Sequence, residues 1–298
     1  MRILMTGATG FVGQPLCEAL AEKNHELLVV SRSPDKARDA LPEGTDARAA
    51  VADFADAAPE AVINLAGEPI AEGRWTDEKK RKIVQSRVET TRAIVDLCGE
   101  LETPPKTLVN ASAMGYYGDH GDRDVTEETP PNHEFVHEIC DRWESEARKA
   151  EAHGVRVAIS RIGLVLDAGG GMLARTLTPF KLGVGGRLGD GKQYMPWIHR
   201  DDMVRVLVFL LERDDLSGPF NASAPNPVTN ADFTQKLANE LNRPAVLPAP
   251  AFALKLAFGE MSRLLLTGAK MLPKRLEDAG FEFKYPRLEQ ALAEILAD

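Results

Sequence analysis

The stretch that decides the fold is Met1-Arg-Ile-Leu-Met-Thr-Gly-Ala-Thr-Gly-Phe-Val-Gly13. An apolar run suited to a β-strand breaks at a glycine-rich turn, and residues 14–23 then show the spacing of an amphipathic helix. Gly7 permits a tight exit from the strand, Gly10 lets a phosphate approach the backbone, and Gly13 allows close helix packing. The candidate pyrophosphate contacts are Gly7, Thr9, Gly10, Phe11, Val12 and Gly13. Free N–H groups at a helix N-terminus favour phosphate, so the stretch predicts a dinucleotide-binding turn, with a purely structural turn as the alternative.

Composition restricts the classes of function. A chain of 298 residues suffices for about two domains. Its 36 basic and 45 acidic residues give a net charge of −9, which argues against a general binder of nucleic acid or anionic membranes. No stretch reaches the roughly 18 apolar residues of a membrane span, and we expect no secretory leader because the N-terminus is already the first strand. Both features lead us to expect a cytoplasmic protein. The three cysteines share no metal-ligand spacing, so we expect reduced thiols and no structural metal.

Apolar runs alternate with helical patterns along the chain. Further strands are predicted at 26–30, 48–51, 61–65, 107–111, 155–161 and 220–223. Helices are predicted at 77–100, 138–152, 203–211 and 288–296. This alternation predicts an α/β fold with a Rossmann-type, doubly wound parallel sheet. We expect a dinucleotide-binding domain at 1–164, to which 195–225 can add core elements, and a smaller, mixed substrate-side and C-terminal domain at 165–298.

The end of the second strand indicates the type of cofactor. In this kind of fold it meets the adenosine ribose, where a carboxylate binds the 2′-hydroxyl and an arginine favours a 2′-phosphate. The chain has no acid there but has Ser31, Arg32 and Ser33, followed by Lys36. These residues favour NADP over NAD, and solvated loop charges are the alternative. Asp53 follows the predicted third strand, and we expect it either to bind the adenine amino group or to lie on a surface loop.

Two more strand ends supply candidate site residues. The fourth strand exits through Ala66-Gly67, where small residues let the central part of a cofactor lie across the strand ends. The fifth strand delivers Ser112, Tyr116 and Tyr117 to the carboxyl edge of the sheet, where open α/β sheets keep their chemistry. A hydroxyl and two phenols there are catalytic candidates, and ordinary loop packing of the tyrosines is the alternative.

Two later glycine-rich segments differ from the first turn. Gly169–Gly171 is predicted to be a flexible turn, and five glycines between Gly183 and Gly191 predict a substrate-side lid, because no strand-turn-helix pattern surrounds them. We expect Asp201 or Asp202 to cap the helix that begins at Met203. His199 is expected to be structural or to line a pocket.

These motifs together resemble the short-chain dehydrogenase/reductase superfamily, in its extended, epimerase-like branch. The stretches that carry this resemblance are Thr6–Gly13, Asn64–Gly67, Ser112–Gly118, Arg161–Gly163 and Trp197–Asp202. The stretches that more narrowly resemble the atypical epimerase family are Arg74–Thr76, Ser86–Thr91, Gly115–Gly118, Pro196–His199 and Leu272–Arg275. Members of that family are often called sugar-nucleotide epimerases or cell-division-inhibitor-like proteins. The C-terminal segment resembles the small domain of unknown function appended to the family.

The resemblance implies an NADP-binding Rossmann protein in which Ser31 and Arg32 hold the 2′-phosphate. The other cofactor contacts that it implies are Leu65, Ala66, Arg87 and Arg161. Together with Gly67 and Ser33, these residues complete the candidate cofactor site.

The catalytic pair of the superfamily is missing from this sequence. Active members carry a tyrosine and, four residues later, a lysine that lowers the phenol's pKa, so that the phenol exchanges a proton with the substrate while hydride moves to the nicotinamide. Aligning Glu144 with the usual downstream acid places Val136 at the tyrosine and Cys140 at the lysine. Neither residue does that chemistry, and we expect Cys140 to be a small buried thiol.

Two functions from different classes follow. The first is an NADP-dependent oxidoreductase or epimerase acting on an unidentified small substrate, a nucleotide sugar being one candidate, with Tyr116 or Tyr117 and Ser112 replacing the missing pair. The second is a sensor or regulatory protein that holds NADP without turnover. A phosphate-loop nucleotidase is disfavoured because no Gly-Lys-Ser/Thr follows the first turn. We expect a monomer or homodimer, and neither nucleic acid nor a membrane as a partner.

Overall fold

The structure is a computed structural model that describes residues 1–297. Seven parallel strands form its central sheet. The strands in chain order are β1 (Arg2–Thr6), β2 (Glu26–Val30), β3 (Asp46–Arg48), β4 (Ala61–Asn64), β5 (Thr107–Ala113), β6 (Asp124–Val125), β7 (Arg156–Ile162), β8 (Leu164–Asp167), β9 (Tyr194–Met195), β10 (Trp197–His199), β11 (Gly218–Ala222), β12 (Val228–Thr229) and β13 (Lys270–Met271). The sheet order is β11-β7-β5-β4-β1-β2-β3. The order reverses between β1 and β4, which creates the crevice where such sheets bind ligands. The predicted Rossmann-type parallel sheet is confirmed.

Helices cover both faces of this sheet. They are α1 (Gly13–Glu22), α2 (Pro34–Ala40), α3 (Asp77–Glu100), α4 (Phe135–Arg148), α5 (Gly171–Lys181), α6 (Arg200–Glu212), α7 (Asn230–Glu240), α8 (Ala251–Phe258), α9 (Arg263–Leu266), α10 (Lys274–Asp278) and α11 (Leu288–Ile295). Ile3 and Met5 pack into a core with α1 and α6, whereas Leu4 packs into a second core with α3 and α4. This alternation follows from the two-residue period of a strand and explains why β1 is apolar throughout.

The third strand differs from the predicted range 48–51. It spans Asp46–Arg48, and the chain then enters a 3₁₀-helix at 51–57. The Asp53 carboxylate accepts a hydrogen bond from the Ala50 N–H at 2.9 Å and so fixes this turn. Val51 is buried in the 3₁₀-helix, which explains why an apolar residue there resembled a strand.

The N-terminus of α6 also differs from the prediction. The expected aspartate cap is wrong, because α6 begins at Arg200 and the His199 Nδ1 accepts from the Asp201 N–H at 3.1 Å. His199 is buried and its Nε2 lies 2.8 Å from a Glu294 carboxylate oxygen on α11. Asp202 instead accepts from two backbone N–H groups of residues 284–285, at 2.9 and 2.8 Å. Both residues therefore fasten the C-terminal segment to the Rossmann core.

The C-terminal part packs around a third core that contains Trp197, Phe233 and Leu292. β11, from residues 218–222, adds the edge strand of the central sheet next to β7. Two glycines of 183–191 are closely packed: a Cβ at Gly185 would lie 2.5 Å from the Phe180 ring, and a Cβ at Gly186 would lie 2.0 Å from the Leu247 carbonyl oxygen. Within residues 1–297, every helix is too short or too polar to cross a bilayer.

Candidate functional site

The glycine-rich turn lies between β1 and α1. Gly7 has φ of +73°, and a Cβ there would lie 2.8 Å from the Leu65 carbonyl group. A Cβ at Gly13 would lie 2.2 Å from the Gly7 carbonyl oxygen. By contrast, a Cβ at Gly10 would have one neighbouring atom within 4 Å, the Gly7 carbonyl oxygen at 3.1 Å. Packing therefore requires glycine at positions 7 and 13, whereas Gly10 leaves an open backbone face.

The N-terminus of α1 is suited to bind an anion. No side chain caps the helix, and its first turn contains no acidic residue. Such a terminus carries partial positive charge and N–H groups without helical partners. Together with the open face of Gly10, it fits the pyrophosphate of a dinucleotide.

Phe11 joins the turn to the later glycine-rich segment. A Cβ at Gly170 would lie 2.5 Å from the Phe11 ring. The Arg200 guanidinium carbon lies 5.3 Å from the centre of the same ring, and this arginine pairs with Asp167 at 2.8 Å. The segment 169–171 is therefore packed on the first glycine turn, a relation that sequence spacing did not indicate.

The end of β2 presents a cation without an anionic partner. Arg32 is exposed and, among residues 1–297, forms neither an ion pair nor a hydrogen bond. The nearby Arg38 and Arg48 are instead paired with aspartates. The Ser31 hydroxyl accepts from the Ser33 N–H at 3.1 Å, which shapes the turn that carries Arg32. Ser31 and Arg32 thus leave a basic position free beside the crevice.

A buried polar network holds the ends of β1, β4 and β5 together. The Thr6 hydroxyl donates to the Asn64 side-chain oxygen at 2.6 Å, and the Asn64 amide donates to Asn110 at 2.6 Å. The Ala66 N–H donates to the Thr6 hydroxyl at 3.2 Å. These bonds fix the exit of β4 through Leu65, Ala66 and Gly67. Polar residues at the ends of buried strands were the available signal.

Ser112 and Tyr117 belong to a second buried network, built on Glu144. The Ser112 hydroxyl donates to Glu144 at 2.7 Å. Arg161 binds the same carboxylate through Nε and Nη2, at 2.8 and 2.9 Å. Its Nη1 donates to the Tyr117 hydroxyl at 2.9 Å, and that hydroxyl donates to Asn221 at 2.6 Å. The sequence identified Glu144 only as the acid downstream of the missing pair, and it gave no indication of Asn221.

This network disfavours two roles suggested by the sequence. Arg161 is 2% exposed, and each of its three guanidinium nitrogens donates within the protein, so the two N–H groups that remain are buried. Tyr117 is fully buried, and burial raises the pKa of its phenol, which opposes its use as an acid or base. Both residues instead stabilise the edge of the sheet.

Tyr116 differs from its neighbour in leaving its hydroxyl free. The Arg161 guanidinium carbon lies 3.3 Å from the centre of the half-buried Tyr116 ring. His137 donates through Nδ1 to the Tyr116 carbonyl at 2.8 Å and packs edge-on against the ring. The Tyr116 hydroxyl makes no hydrogen bond among residues 1–297. Of the two tyrosines, Tyr116 retains a phenol that a ligand is able to reach.

The positions of the missing pair lie on α4. Val136 packs on Gly115, where a Cβ would lie 3.1 Å from the valine Cβ. The Cys140 Sγ lies 3.7 Å from the Ala113 carbonyl oxygen, and burial raises the pKa of this free thiol to about 11. A cleft opens beside Val136, lined by Trp75 and Leu264 among others. The C-terminal segment therefore faces the expected site of proton transfer.

A family model described as "NAD dependent epimerase/dehydratase family" matches residues 3–223. The chain belongs to this family. A second model, "Domain of unknown function (DUF1731)", matches residues 249–295. The expected membership of the extended, epimerase-like branch is confirmed.

Several members of the epimerase/dehydratase family are similar to the chain over most of their length. The epimerase family protein SDR39U1 homolog, chloroplastic, of Arabidopsis thaliana is 40% identical, over 99% of this chain and 87% of that protein. The epimerase family protein YfhF of Bacillus subtilis is 37% identical, over 100% and 99%. The crystal structure of human epimerase family protein SDR39U1 (isoform2) with NADPH has a TM-score of 0.89 and 32% identity, and covers 100% of both chains. The cytoplasmic location of this chain stays a prediction.

Proposed function

We propose that this chain is an NADP-dependent oxidoreductase or epimerase-like enzyme acting on a small hydroxyl-bearing substrate, with a nucleotide sugar as the candidate class. The observation that carries the proposal is Arg32, exposed and unpaired at the end of β2 beside an uncapped helix N-terminus. A cation at this position favours a 2′-phosphate over a free hydroxyl. The NADPH in the human relative's structure supports the same choice.

The cofactor's parts map onto different strand ends. The backbone of Gly7 to Gly13 would hold the pyrophosphate, and Ser31, Arg32 and Ser33 would hold the 2′-phosphate. Leu65, Ala66 and Gly67 would line its central part. When bound, NADP accepts a hydride from a substrate carbon, and NADPH returns one.

Proton transfer falls to Tyr116 in this proposal. Its hydroxyl is free, and its ring is held between Arg161 and His137. Ser112 acts indirectly, because its hydroxyl is already bonded to Glu144. We expect Tyr116→Phe to abolish turnover while leaving NADPH affinity unchanged. Tyr117→Phe is the matched variant, and we expect it to reduce stability more than activity.

Isothermal titration with NADP, NADPH, NAD and NADH tests the cofactor assignment. We expect the phosphorylated forms to bind at least about tenfold more tightly, a gap of about 1.4 kcal/mol. Arg32→Ala should remove this gap. Lys106→Ala is the control, because Lys106 is an exposed cation just before β5, at the amino ends of the strands, whereas the proposed site lies at their carboxyl ends. An unchanged gap in Arg32→Ala would exclude the proposed 2′-phosphate site.

A second candidate is a sensor that binds NADP without turnover. It is favoured by Val136 and Cys140 at the positions of the missing pair. Single-turnover oxidation of NADPH against a panel of nucleotide-sugar ketones, measured by absorbance, distinguishes the two. Hydride transfer that depends on Tyr116 supports the enzyme, and its absence for every substrate, with NADPH binding intact, supports the sensor.

A further inference from the structure

The large apolar side chains that remain exposed are concentrated in two segments of the C-terminal half. Among residues 1–297, eight such side chains are exposed, and seven of them lie in the segments 181–187 and 243–258. The seven are Leu182, Val184, Val246, Leu247, Phe252, Leu256 and Phe258. Single exposed apolar residues are ordinary, whereas a cluster of this kind indicates a surface that another molecule covers.

The two segments lie side by side. The Leu247 N–H donates to the Gly185 carbonyl oxygen at 3.4 Å, and the Ala249 N–H donates to the Arg187 carbonyl oxygen at 2.9 Å. The second segment then continues directly into α8. We call the residues 181–187 and 243–258 together the apolar face.

The helix α8 contributes the most exposed side chains of the apolar face. Leu254 is the buried residue of this helix, whereas Phe252 and Leu256 are 74% and 76% exposed. Side chains that line a groove are sheltered by its walls, but these two protrude from the molecule. Protruding aromatic and aliphatic side chains are suited to enter the boundary between lipid headgroups and acyl chains.

The apolar face is also a basic region of an acidic protein. It contains four basic residues and no acidic residue, so the net charge of −9 divides into +4 here and −13 in the rest of the chain. All four cations are exposed, and none lies within 4.0 Å of a carboxylate among residues 1–297. They are Lys181, Arg187, Arg243 and Lys255. The expectation of no membrane partner follows from the net charge of the whole chain, which averages over this local surplus.

The apolar face borders the cleft at the expected site of proton transfer. Arg74 holds α8 against the loop that follows β4, because its Nε donates to the Ala257 carbonyl oxygen at 3.1 Å. The next residue in that loop, Trp75, lines the cleft beside Val136. A molecule that covers the apolar face would therefore lie next to this cleft.

We propose that the apolar face docks on the surface of an anionic lipid membrane. Phe252 and Leu256 would enter the headgroup region, and the lysines and arginines would remain at the level of the lipid phosphates, because their long aliphatic stems keep the charged ends in water. A second copy of the chain is less suited, since a two-fold interface would place this cationic face against itself. The proposal does not depend on the proposed enzymatic function.

Flotation of the full-length protein with lipid vesicles tests the proposal. We expect binding to vesicles of equal parts phosphatidylglycerol and phosphatidylcholine, and at least about tenfold weaker binding to vesicles of phosphatidylcholine alone. The reason is that each cation near an anionic surface strengthens binding by about fivefold. Added salt should weaken the binding to the anionic vesicles, because it screens these charges.

Variants of the apolar face separate it from the rest of the surface. Phe252→Ser/Leu256→Ser should abolish vesicle binding, and Lys255→Glu should weaken it about tenfold or more. Lys106→Glu is the matched control, because it makes the same change in net charge at an exposed cation outside the apolar face, and it should change binding less than about twofold. The substituted side chains are all exposed, so a thermal scan should show the parent's unfolding profile for every variant.

Three results would overturn the proposal. They are a parent protein that binds neither kind of vesicle, equal binding to both kinds, and variants of the apolar face that bind like Lys106→Glu. Sedimentation velocity then identifies the other occupant. A dimer that Phe252→Ser/Leu256→Ser converts to a monomer assigns the apolar face to a second copy, whereas a monomeric parent assigns it to a partner protein with acidic groups.

Discussion

Replacing Glu144 with glutamine tests whether the buried ion pair holds the edge of the sheet. The Glu144 and Arg161 side chains are 4% and 3% exposed and share two hydrogen bonds of 2.8 and 2.9 Å. Glutamine keeps the shape but removes the charge, and its amide places an N–H donor where an oxygen accepted from Arg161. Removing one member of a buried pair leaves the other charge uncompensated, which costs about 3–5 kcal/mol. We expect Glu144→Gln to lower the free energy of unfolding by this amount.

Glu146→Gln is the matched control on the same helix. The Glu146 side chain is 8% exposed, but its partners Arg92 and Lys149 are 55% and 59% exposed. Water solvates those cations when the carboxylate is removed, so we expect a loss of at most about 1 kcal/mol. Urea unfolding followed by tryptophan fluorescence gives both values. A loss for Glu144→Gln that is no larger than the loss for Glu146→Gln would refute the reasoning.

Three further predictions concern the turn, the C-terminal segment and pH. Gly10→Ala should weaken NADPH binding with little loss of stability, whereas Gly13→Ala should destabilise the fold because its Cβ would lie 2.2 Å from a carbonyl oxygen; titration and urea unfolding measure the two effects. Asp202→Asn removes the charged acceptor of the N–H groups of residues 284–285 and should cost about 1–3 kcal/mol in urea unfolding. Burial and the N-terminal charge lower the pKa of His25 from 6.5, so its contribution to stability is present above that value and lost as the pH falls through the lower folded pKa. The loss of stability between pH 8 and pH 5 should therefore be smaller in His25→Gln.

The fold was predictable because its main determinants are local. β2 occupies the range 26–30 and α3 the range 77–100, as expected from a continuous apolar run and from a periodic apolar face. The hydroxyl of Thr76 accepts from the Lys79 N–H at 3.1 Å and fixes where α3 begins. The third strand was misplaced because the burial of Val51 in a 3₁₀-helix produces the same apolar signal as a strand.

The site was predictable in position but less so in its contacts. Parallel strands bring Ser112 and Tyr117 to the carboxyl edge whatever the details of the loops. The partner of the Tyr117 hydroxyl, Asn221, is 104 positions away in the chain. No periodicity or motif relates residues at such a distance, so the sequence did not distinguish the free phenol of Tyr116 from the bonded phenol beside it.

The three arginines of this edge differ in their partners, and the difference assigns their tasks. Arg161 is buried with a bidentate carboxylate, so its charge is already neutralised and it stabilises the fold. Arg32 is exposed and has no carboxylate partner. Because water solvates its charge, that charge costs the fold little and remains available to attract a phosphate. Arg87 lies between these cases: it is partly desolvated, its Nη1 donates to two carbonyl oxygens, and its Cζ lies 5.1 Å from the centre of the Trp143 ring. Of the two arginines that the resemblance implies as cofactor contacts, Arg87 therefore has the more accessible N–H groups and is the better candidate for that contact.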